Sequence, residues 1–252
     1  YAARLGETAS DYAPIAAHLD AAPDLVESLM LEQAATRIPA GTRLAAITCP
    51  FPGNLLASLR LAQWVKRERP GCLVALGGGF PSAALRGLRD ARIFDVVDAV
   101  CLDDGEAALA GLIARASGDA AAALPSCFTR VDGAVRFTEA VAPPPRHADL
   151  PAPDYAGLHL DDYVDLLDQP NPMQRLWNEG RWLRLAAAHG CYHKRCTFCD
   201  THLPYIGRFD AAPAAAIADR MEAMAAQTGR STFHLIDEAA PPAVLTGLAR
   251  EL

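Results

Sequence analysis

The chain has 252 residues, of which 51% are apolar and 21% are charged, a composition typical of a globular protein with one large core or two smaller ones. A net charge of −7 without any basic stripe argues against a nucleic-acid-binding surface. The apolar runs are too short for a membrane span, and no signal peptide is visible. Because the seven cysteines are odd in number and three are clustered, a disulfide framework is disfavoured and a reducing, cytoplasmic location is expected.

The first part of the chain alternates short apolar runs with amphipathic segments. Residues up to about 40 read as helical and loop material. Strands are then predicted at 44–48, 72–76 and 96–102, and helices at 54–69, after Pro81 and at 105–116. This alternation is typical of a parallel sheet wound in the Rossmann manner. Runs at 126–130 and 134–138, joined by Asp132-Gly133, predict a β-hairpin with a tight turn.

The proline-rich stretch that begins at Pro143 predicts a stiff, extended linker. We therefore divide the chain into a first domain at 1–140, a linker at 141–175 and a second domain at 176–252. A weak helix is predicted at 161–167. In the second domain β/α alternation restarts, with strands predicted at 182–188 and 232–236 and helices at 210–227 and 244–252. The chain starts at Tyr1 and ends inside a helical pattern, so we interpret it as a fragment of a longer protein.

Three cysteines fall within nine residues, in the sequence Cys191-Tyr-His-Lys-Arg-Cys196-Thr-Phe-Cys199. Three thiolates on one short loop can bind a soft metal centre and leave one coordination position open. The loop follows a predicted strand, at the end where parallel α/β folds place their chemistry. We therefore predict a metal centre here. The remaining cysteines are interpreted as buried apolar residues: Cys49, Cys72, Cys101 and Cys127.

Two kinds of metal centre are compatible with this loop. Zinc would need a fourth ligand, and His189, His193 and His202 are close in sequence. Structural zinc sites usually combine two short ligand clusters, and the second cluster is missing here. An iron–sulfur cluster needs only thiolates, and three of them leave one iron open to a ligand. The spacing favours the cluster and leaves zinc as the alternative.

The stretch from Gly190 to Asp200 resembles the signature of radical S-adenosylmethionine enzymes. In that family three cysteines hold a 4Fe–4S cluster, and an aromatic residue, here Phe198, precedes the last cysteine. The resemblance implies that Cys191, Cys196 and Cys199 hold the cluster. It also implies that the open iron chelates S-adenosylmethionine, which is then cleaved to a 5′-deoxyadenosyl radical. One feature departs from the commonest pattern, because four residues rather than three separate Cys191 from Cys196.

A second resemblance lies between Phe233 and Pro242. In cobalamin-dependent members of the family, the second barrel strand often ends in an acidic pair followed by a Pro-containing turn, and Asp237 and Glu238 match this pattern. The resemblance implies that this pair lies beside Cys191, where a carboxylate could hold the amino group of S-adenosylmethionine. The alternative is that Asp237 caps the following helix.

Three further segments, 48–52, 77–79 and 98–106, lie at the ends of three successive strands predicted in the first domain. Their order resembles the cobalamin-binding domain that precedes the radical domain in a large subfamily. The resemblance implies that the glycines border the cofactor slot and that a Gly-Glu turn lies near the corrin ring. The candidate cobalamin-binding residues are Thr48, Gly77, Gly78, Gly79, Phe80, Asp104, Gly105 and Glu106. Taken alone, a glycine run is more often a turn, and the acidic residues also suit a solvated helix start.

The chain is thus identified as a fragment of a cobalamin-binding-domain-containing radical S-adenosylmethionine enzyme. The expected fold is a Rossmann-like domain followed by the first part of a (β/α) TIM-type barrel. The resemblance implies methylation of an unactivated carbon in a small molecule or peptide, with a 4Fe–4S cluster, S-adenosylmethionine and cobalamin as cofactors. It also implies an electron donor such as flavodoxin or ferredoxin. Two alternatives stay open: a rearrangement or cyclisation with the same cofactors, and a non-catalytic, zinc-stapled α/β binding module.

Overall fold

The computed structural model describes residues 12–140, 143–162, 182–237 and 239–252. The chain divides into two compact units, Tyr1–Pro144 and Pro145–Leu252. Helices and strands are mixed in both units, so the predicted α/β class is confirmed. Most of the helix predicted at 161–167 lies outside the described residues, and a 3-10 turn occupies Leu160–Asp162.

The first unit contains a five-stranded sheet. Its elements in chain order are α1 (Ala13–Asp20), α2 (Leu25–Arg37), β1 (Leu44–Thr48), α3 (Leu55–Glu68), β2 (Leu73–Gly77), α4 (Gly79–Ala84), β3 (Ala99–Cys101), α5 (Glu106–Ala116), β4 (Cys127–Val131) and β5 (Ala134–Thr138). The strands lie in the order β1-β2-β3-β4-β5. The first three are parallel, and β4 and β5 are antiparallel. The carboxyl ends of β1, β2 and β3 therefore meet at one edge.

Helices cover both faces of the parallel part of this sheet, as parallel sheets require. Helix α3 buries a stripe of apolar side chains at helical spacing, which includes Leu55, Leu59 and Val65. On the other face Ala108 and Leu112 of α5 pack against Ala75 and Ala99 of the sheet. The apolar residues at helical spacing in 54–69 are therefore the residues that α3 buries against the sheet.

The hairpin predicted at 126–138 is confirmed, and it extends the sheet of the first unit. Asp132 and Gly133 both have positive φ values, 50° and 76°, which a primed two-residue turn requires. The hairpin strands extend the same sheet, with β4 antiparallel to β3. The sheet is therefore mixed: the three strands predicted to form a parallel sheet are parallel, and the hairpin pairs with the other edge of β3.

The second unit is built around one parallel strand pair. Its elements are β6 (Leu183–Leu185), β7 (Ala188–His189), α6 (Pro204–Gly207), β8 (Asp210–Ala211), α7 (Ala214–Thr228), β9 (Phe233–Leu235) and α8 (Pro242–Glu251). Strands β6 and β9 are parallel and are connected through α7. Strands β7 and β8 form a separate antiparallel ladder of two residue pairs. The predicted strand at 182–188 is therefore split in two, and the predicted helix at 210–227 starts at Ala214.

The core of the second unit lies between the strand pair and its helices. Leu183 and Leu185 of β6 pack with Ile217 and Met224 of α7 and with Leu248 of α8. The segment from Pro145, which was expected to be part of a linker, belongs to this unit. Its residues that pack against the core are Ala148, Ala152, Tyr155 and Leu160. In the ranges that the structure describes, no helix has the length and apolar content needed to cross a membrane.

The Leu59→Ala variant tests the packing of α3 on the sheet. Leu59 is fully buried, so its truncation leaves a cavity and is expected to lower the free energy of unfolding by about 2–5 kcal/mol in urea titrations. Leu29→Ala is the matched control, since Leu29 is 53% exposed on α2 and its loss should change stability by less than about 0.5 kcal/mol. Equal effects of the two variants would contradict this packing.

Candidate functional site

The cysteine loop is closed at its base by the β7–β8 ladder. Ala188 pairs with Ala211 and His189 with Asp210, so the segment 190–209 leaves and returns at adjacent points. The His189 ring nitrogen Nε2 lies 3.1 Å from the carbonyl oxygen of Tyr205, within the same segment. The loop that carries the three cysteines therefore starts from a paired and hydrogen-bonded root.

Gly190, the first residue of the loop, needs to be glycine for two reasons. Its φ of +72° lies in the left-handed region that L side chains rarely adopt. A Cβ atom at this position would also collide with the carbonyl oxygen of Arg208, in the segment that returns to β8. The chain can turn from β7 into the loop only because this position has no side chain.

The Asp237 carboxylate anchors the strand that leads into the loop. Its Oδ2 accepts a hydrogen bond of 2.8 Å from the Ala187 amide, and its Oδ1 accepts one of 2.8 Å from the Ala188 amide. Asp237 follows β9, and the Ile236 amide donates to the carbonyl oxygen of Leu185 beside it. The carboxylate thus joins the ends of the two parallel strands, three residues before Cys191.

This placement changes one of the two roles considered for Asp237. Helix α8 begins after Pro241 without a side-chain cap, so the interpretation of Asp237 as a helix cap was wrong. Both carboxylate oxygens instead hold backbone amides at the loop root. A direct contact of Asp237 with a cofactor stays a prediction. Glu238, the second residue of the acidic pair, lies outside the described residues.

A second anchor of the loop root comes from His147, which the sequence analysis did not single out. The His147 amide donates to Asp210 Oδ2 at 2.6 Å, and its ring Nε2 lies 2.9 Å from the carbonyl oxygen of Ala186. The buried Arg220 donates to the carbonyl oxygens of His147 and Ala148 at 2.5 and 3.1 Å. Burial lowers the pKa of Arg220 from its ordinary value. His147 thereby connects both sides of the loop root to α7.

The three thiols lie beyond this anchored root. Cys191 is half-buried, whereas Cys196 and Cys199 are exposed, and all three are free of disulfide bonds. Phe198 is 89% exposed. The His193 amide donates to Cys191 Sγ at 3.3 Å. Across the described part of the chain, no three His, Cys, Asp or Glu side chains are already grouped so that they could hold a metal ion.

The donor set nevertheless fits a soft metal centre. The loop offers three uncommitted thiols within nine residues, which is the ligand type that iron–sulfur clusters and zinc share. Of the histidines considered as a fourth zinc ligand, His202 pairs its Nδ1 with Asp200 Oδ1 at 3.0 Å on the surface. To bind a cluster or a zinc ion, Cys191, Cys196 and Cys199 would have to move together, because the described side chains do not already form such a group.

In the first unit, the glycine run lies against the backbone that leaves β1. The Cys49 amide donates to the carbonyl oxygen of Gly77 at 2.7 Å, and the Phe80 amide donates to that of Cys49 at 3.1 Å. Gly78 has a φ of +103°, and a Cβ atom there would lie 2.9 Å from the Cys49 carbonyl oxygen. The close approach of two strand ends accounts for this glycine, and Phe80 is buried behind it.

The third strand end is joined to the same network through a serine. Ser82 Oγ donates to the carbonyl oxygen of Gly78 at 3.0 Å and accepts from the Asp103 amide at 2.8 Å. The Asp103 carboxylate forms an ion pair with Arg86. The network therefore links the ends of β1, β2 and β3. Sequence reasoning missed Ser82 and Arg86, because only the fold places them beside residue 103.

The predicted Gly-Glu turn opens α5 at this same edge. Gly105 occupies the N-cap position without a side-chain cap, and Glu106 is exposed in the first helical turn. A carboxylate in the first turn is favoured by the helix dipole. Asp104, just before the turn, is half-buried. This geometry suits the ordinary helix-start role and leaves the predicted corrin contact as a prediction.

An open trough lies between β1 and α5 on one face of the sheet. Leu44, Ala46 and Thr48 share one face of β1, and Ala46 and Thr48 are exposed there. Leu44 and Ile113 of α5 line a cavity of about 250 Å³. Ile113 is 52% exposed, and Leu109, one turn earlier in α5, is 42% exposed. We call this surface the β1–α5 trough. It is open to solvent, and Arg43, Ala116 and Ser117 complete the lining of its cavity at the amino end of β1.

Comparison with known proteins does not extend this description. No family model matches the chain, and no curated protein matches it significantly. The case for a function therefore depends on the residues and geometry of the two sites.

The Gly190→Ala variant tests the closed root of the cysteine loop. Gly229 is the matched control, because its φ of +70° is nearly the same and no atom lies within 4 Å of a Cβ there. Both variants incur the cost of a left-handed residue, about 1–2 kcal/mol. Gly190→Ala also forces apart β7 and the Arg208 backbone, so it should lower the free energy of unfolding by about 1–3 kcal/mol more.

Urea titration followed by circular dichroism measures the difference between the two variants. Hydrogen exchange on peptides that cover 182–189 localises it, because loss of the β7–β8 ladder should speed exchange there in Gly190→Ala alone. If both variants lose the same stability, the close approach of Gly190 to Arg208 is not a constraint on the fold.

Proposed function

We propose that this chain is part of a cobalamin-dependent radical S-adenosylmethionine enzyme that methylates an unactivated carbon. The observation that carries the proposal is the cysteine loop: three free thiols on one segment, which follows the parallel strand β6 and is rooted in the β7–β8 ladder. In this proposal the second unit is the first part of a TIM-type barrel, and the first unit is a Rossmann-like cobalamin-binding domain.

The geometry of the second unit supports the proposed cluster site. Cys191, Cys196 and Cys199 would hold a 4Fe–4S cluster, which supplies the electron for reductive cleavage of S-adenosylmethionine when it is bound and reduced by a donor such as flavodoxin or ferredoxin. Asp237 and His147 keep the root of the loop fixed. The thiols of Cys196 and Cys199 are exposed, so a cluster can reach them while the root of the loop stays ordered.

The first unit supports cobalamin through its open sheet face more than through its glycine run. Gly78 is explained by its contact with Cys49, without any ligand. The β1–α5 trough instead offers an open sheet face that runs from the cavity at the amino end of β1, beside Leu44 and Ile113, towards Thr48 at the carboxyl end. The carboxyl end is where α/β sheets bind their ligands. Thr48 at the end of β1 and Gly77 at the end of β2 border this trough on the face shared with Cys101.

Iron content and colour test the proposed cluster. After anaerobic treatment with ferrous iron and sulfide, the full chain should show broad visible absorption and about four iron atoms per chain. Cys196→Ala should lose both signals because the cluster then lacks a ligand. Cys72→Ala is the control, since Cys72 is buried in the first unit and should leave the absorption unchanged.

A colourless protein that holds one zinc ion per chain would overturn this proposal. In that outcome, release of zinc by His193→Ala or His202→Ala would support the zinc-stapled binding module. For a protein with the cluster, methyl-labelled S-adenosylmethionine separates the two remaining reactions: label in the product indicates methyl transfer, and product without label indicates a rearrangement or cyclisation.

Binding of hydroxocobalamin tests the trough separately from the cluster. Ala46 is exposed on the trough face of β1, so Ala46→Phe fills the trough without entering the core, and it should weaken binding at least about tenfold, or 1.4 kcal/mol. Ala35→Phe is the matched control, because Ala35 is exposed on α2, a helix that packs with α3 and not with α5. Equilibrium dialysis measures both. Unchanged affinity in Ala46→Phe would exclude this trough as the cobalamin site.

A further inference from the structure

Two cysteines that are far apart in sequence lie side by side in the first unit. Cys101 ends β3 and Cys127 begins β4, and they are opposite each other in the antiparallel register. Their Sγ atoms are 3.2 Å apart, and the Cys127 thiol donates to Cys101. The two residues are 26 positions apart, so no local sequence pattern indicates the pairing.

The backbone at this pair suits a covalent bridge. The neighbouring Leu102 amide donates to the carbonyl oxygen of Ser126 at 2.8 Å, so Leu102 and Ser126 form a hydrogen-bonded pair of the ladder. Cys101 and Cys127 are then a non-hydrogen-bonded pair, in which Cα atoms lie about 4.5 Å apart. Disulfides span Cα separations of about 4.4–6.8 Å. Bond formation therefore requires little backbone movement.

The two thiols differ in access and acidity. Cys127 is fully buried, whereas Cys101 is only partly buried and lies beside Gly77, where a side chain is missing. The hydrogen bond from Cys127 lowers the pKa of the Cys101 thiol from its ordinary value. The same hydrogen bond, together with burial, raises the pKa of Cys127. Cys101 is therefore the thiol that an external reagent meets first, in the more reactive state.

We propose that Cys101 and Cys127 form a reversible thiol–disulfide site that exchanges with a low-molecular-weight disulfide such as oxidised glutathione. The Cys101 thiolate attacks one sulfur of that disulfide, forms a mixed disulfide and releases one thiolate. Cys127 then loses its proton and attacks the Cys101 sulfur, which forms the Cys101–Cys127 bond and releases the second thiolate. The pair is oxidised by two electrons, and one small disulfide is reduced to two thiols.

The bond would fix a part of the unit that borders the β1–α5 trough. It closes the segment 101–127, which contains the Gly-Glu turn and all of α5. Closing a loop of this length removes conformational freedom mainly from the unfolded chain. The oxidised form should therefore be more resistant to heat. This inference does not depend on the proposed enzymatic function, because it concerns two thiols outside the cysteine loop.

Peptide mapping of the full chain tests the site. The protein is equilibrated with oxidised and reduced glutathione, alkylated and digested with trypsin, which cuts after Arg92, Arg115 and Arg130. The expected product is peptide 93–115 joined to peptide 116–130, and dithiothreitol should separate them. The melting temperature should rise by roughly 6–12 °C on oxidation, the shift expected when a disulfide closes a loop of this length in a unit as large as Tyr1–Pro144.

Two variants make the test specific. Cys127→Ala should accumulate glutathione on Cys101 and lose the rise in melting temperature, and Cys101→Ala should leave Cys127 unmodified because it is buried. Cys72→Ala, a buried thiol whose pKa is raised by burial, should behave as the wild type. A wild-type chain that keeps Cys101 and Cys127 reduced in oxidised glutathione, or joins Cys101 to another cysteine, would overturn the inference.

Discussion

The Asp237 carboxylate holds two successive backbone amides, those of Ala187 and Ala188, where the chain leaves β6 for the cysteine loop. Hydrogen bonds to an ionised carboxylate are stronger than those between neutral groups, and they give two backbone donors partners near the core. With Asp237 attached to the end of β9, the parallel pair cannot shift without breaking both bonds. The β7–β8 ladder and the position of Cys191 depend on this attachment.

In the first unit, backbone contacts hold the ends of the strands together. At its carboxyl edge, Gly78 approaches Cys49 so closely that a side chain would not fit, and Ser82 connects that contact to Asp103. Three strand ends are thus fixed by main-chain groups and one buried hydroxyl. Thr48, at the end of β1, is exposed on the same face of the strand as Ala46.

Features determined by local sequence were predictable, and those that depend on distant pairing were not. Strands β1 and β2 and helix α3 follow apolar periodicity, and the Asp132-Gly133 turn follows from residue types that accept its positive φ angles. The β7–β8 ladder contains two residue pairs, too few for a period to show. The contacts of His147 join residues on four separate segments, and the proline-rich context of His147 indicated a linker.

At the cysteine loop, the paired root lowers the entropy cost of metal binding, whereas the exposed tip adds to that cost. The β7–β8 ladder already holds the ends of the segment 190–209 together. The free energy of folding therefore offsets the entropy cost of closing the loop, and the free energy of metal binding does not have to. The exposed thiols of Cys196 and Cys199 still have to be ordered when a ligand binds. That remaining cost is limited to a few residues, so the strong bonds of a soft metal to thiolates can exceed it. A loop with an unpaired root would add the closure cost to the same ligand set, and its affinity would be lower.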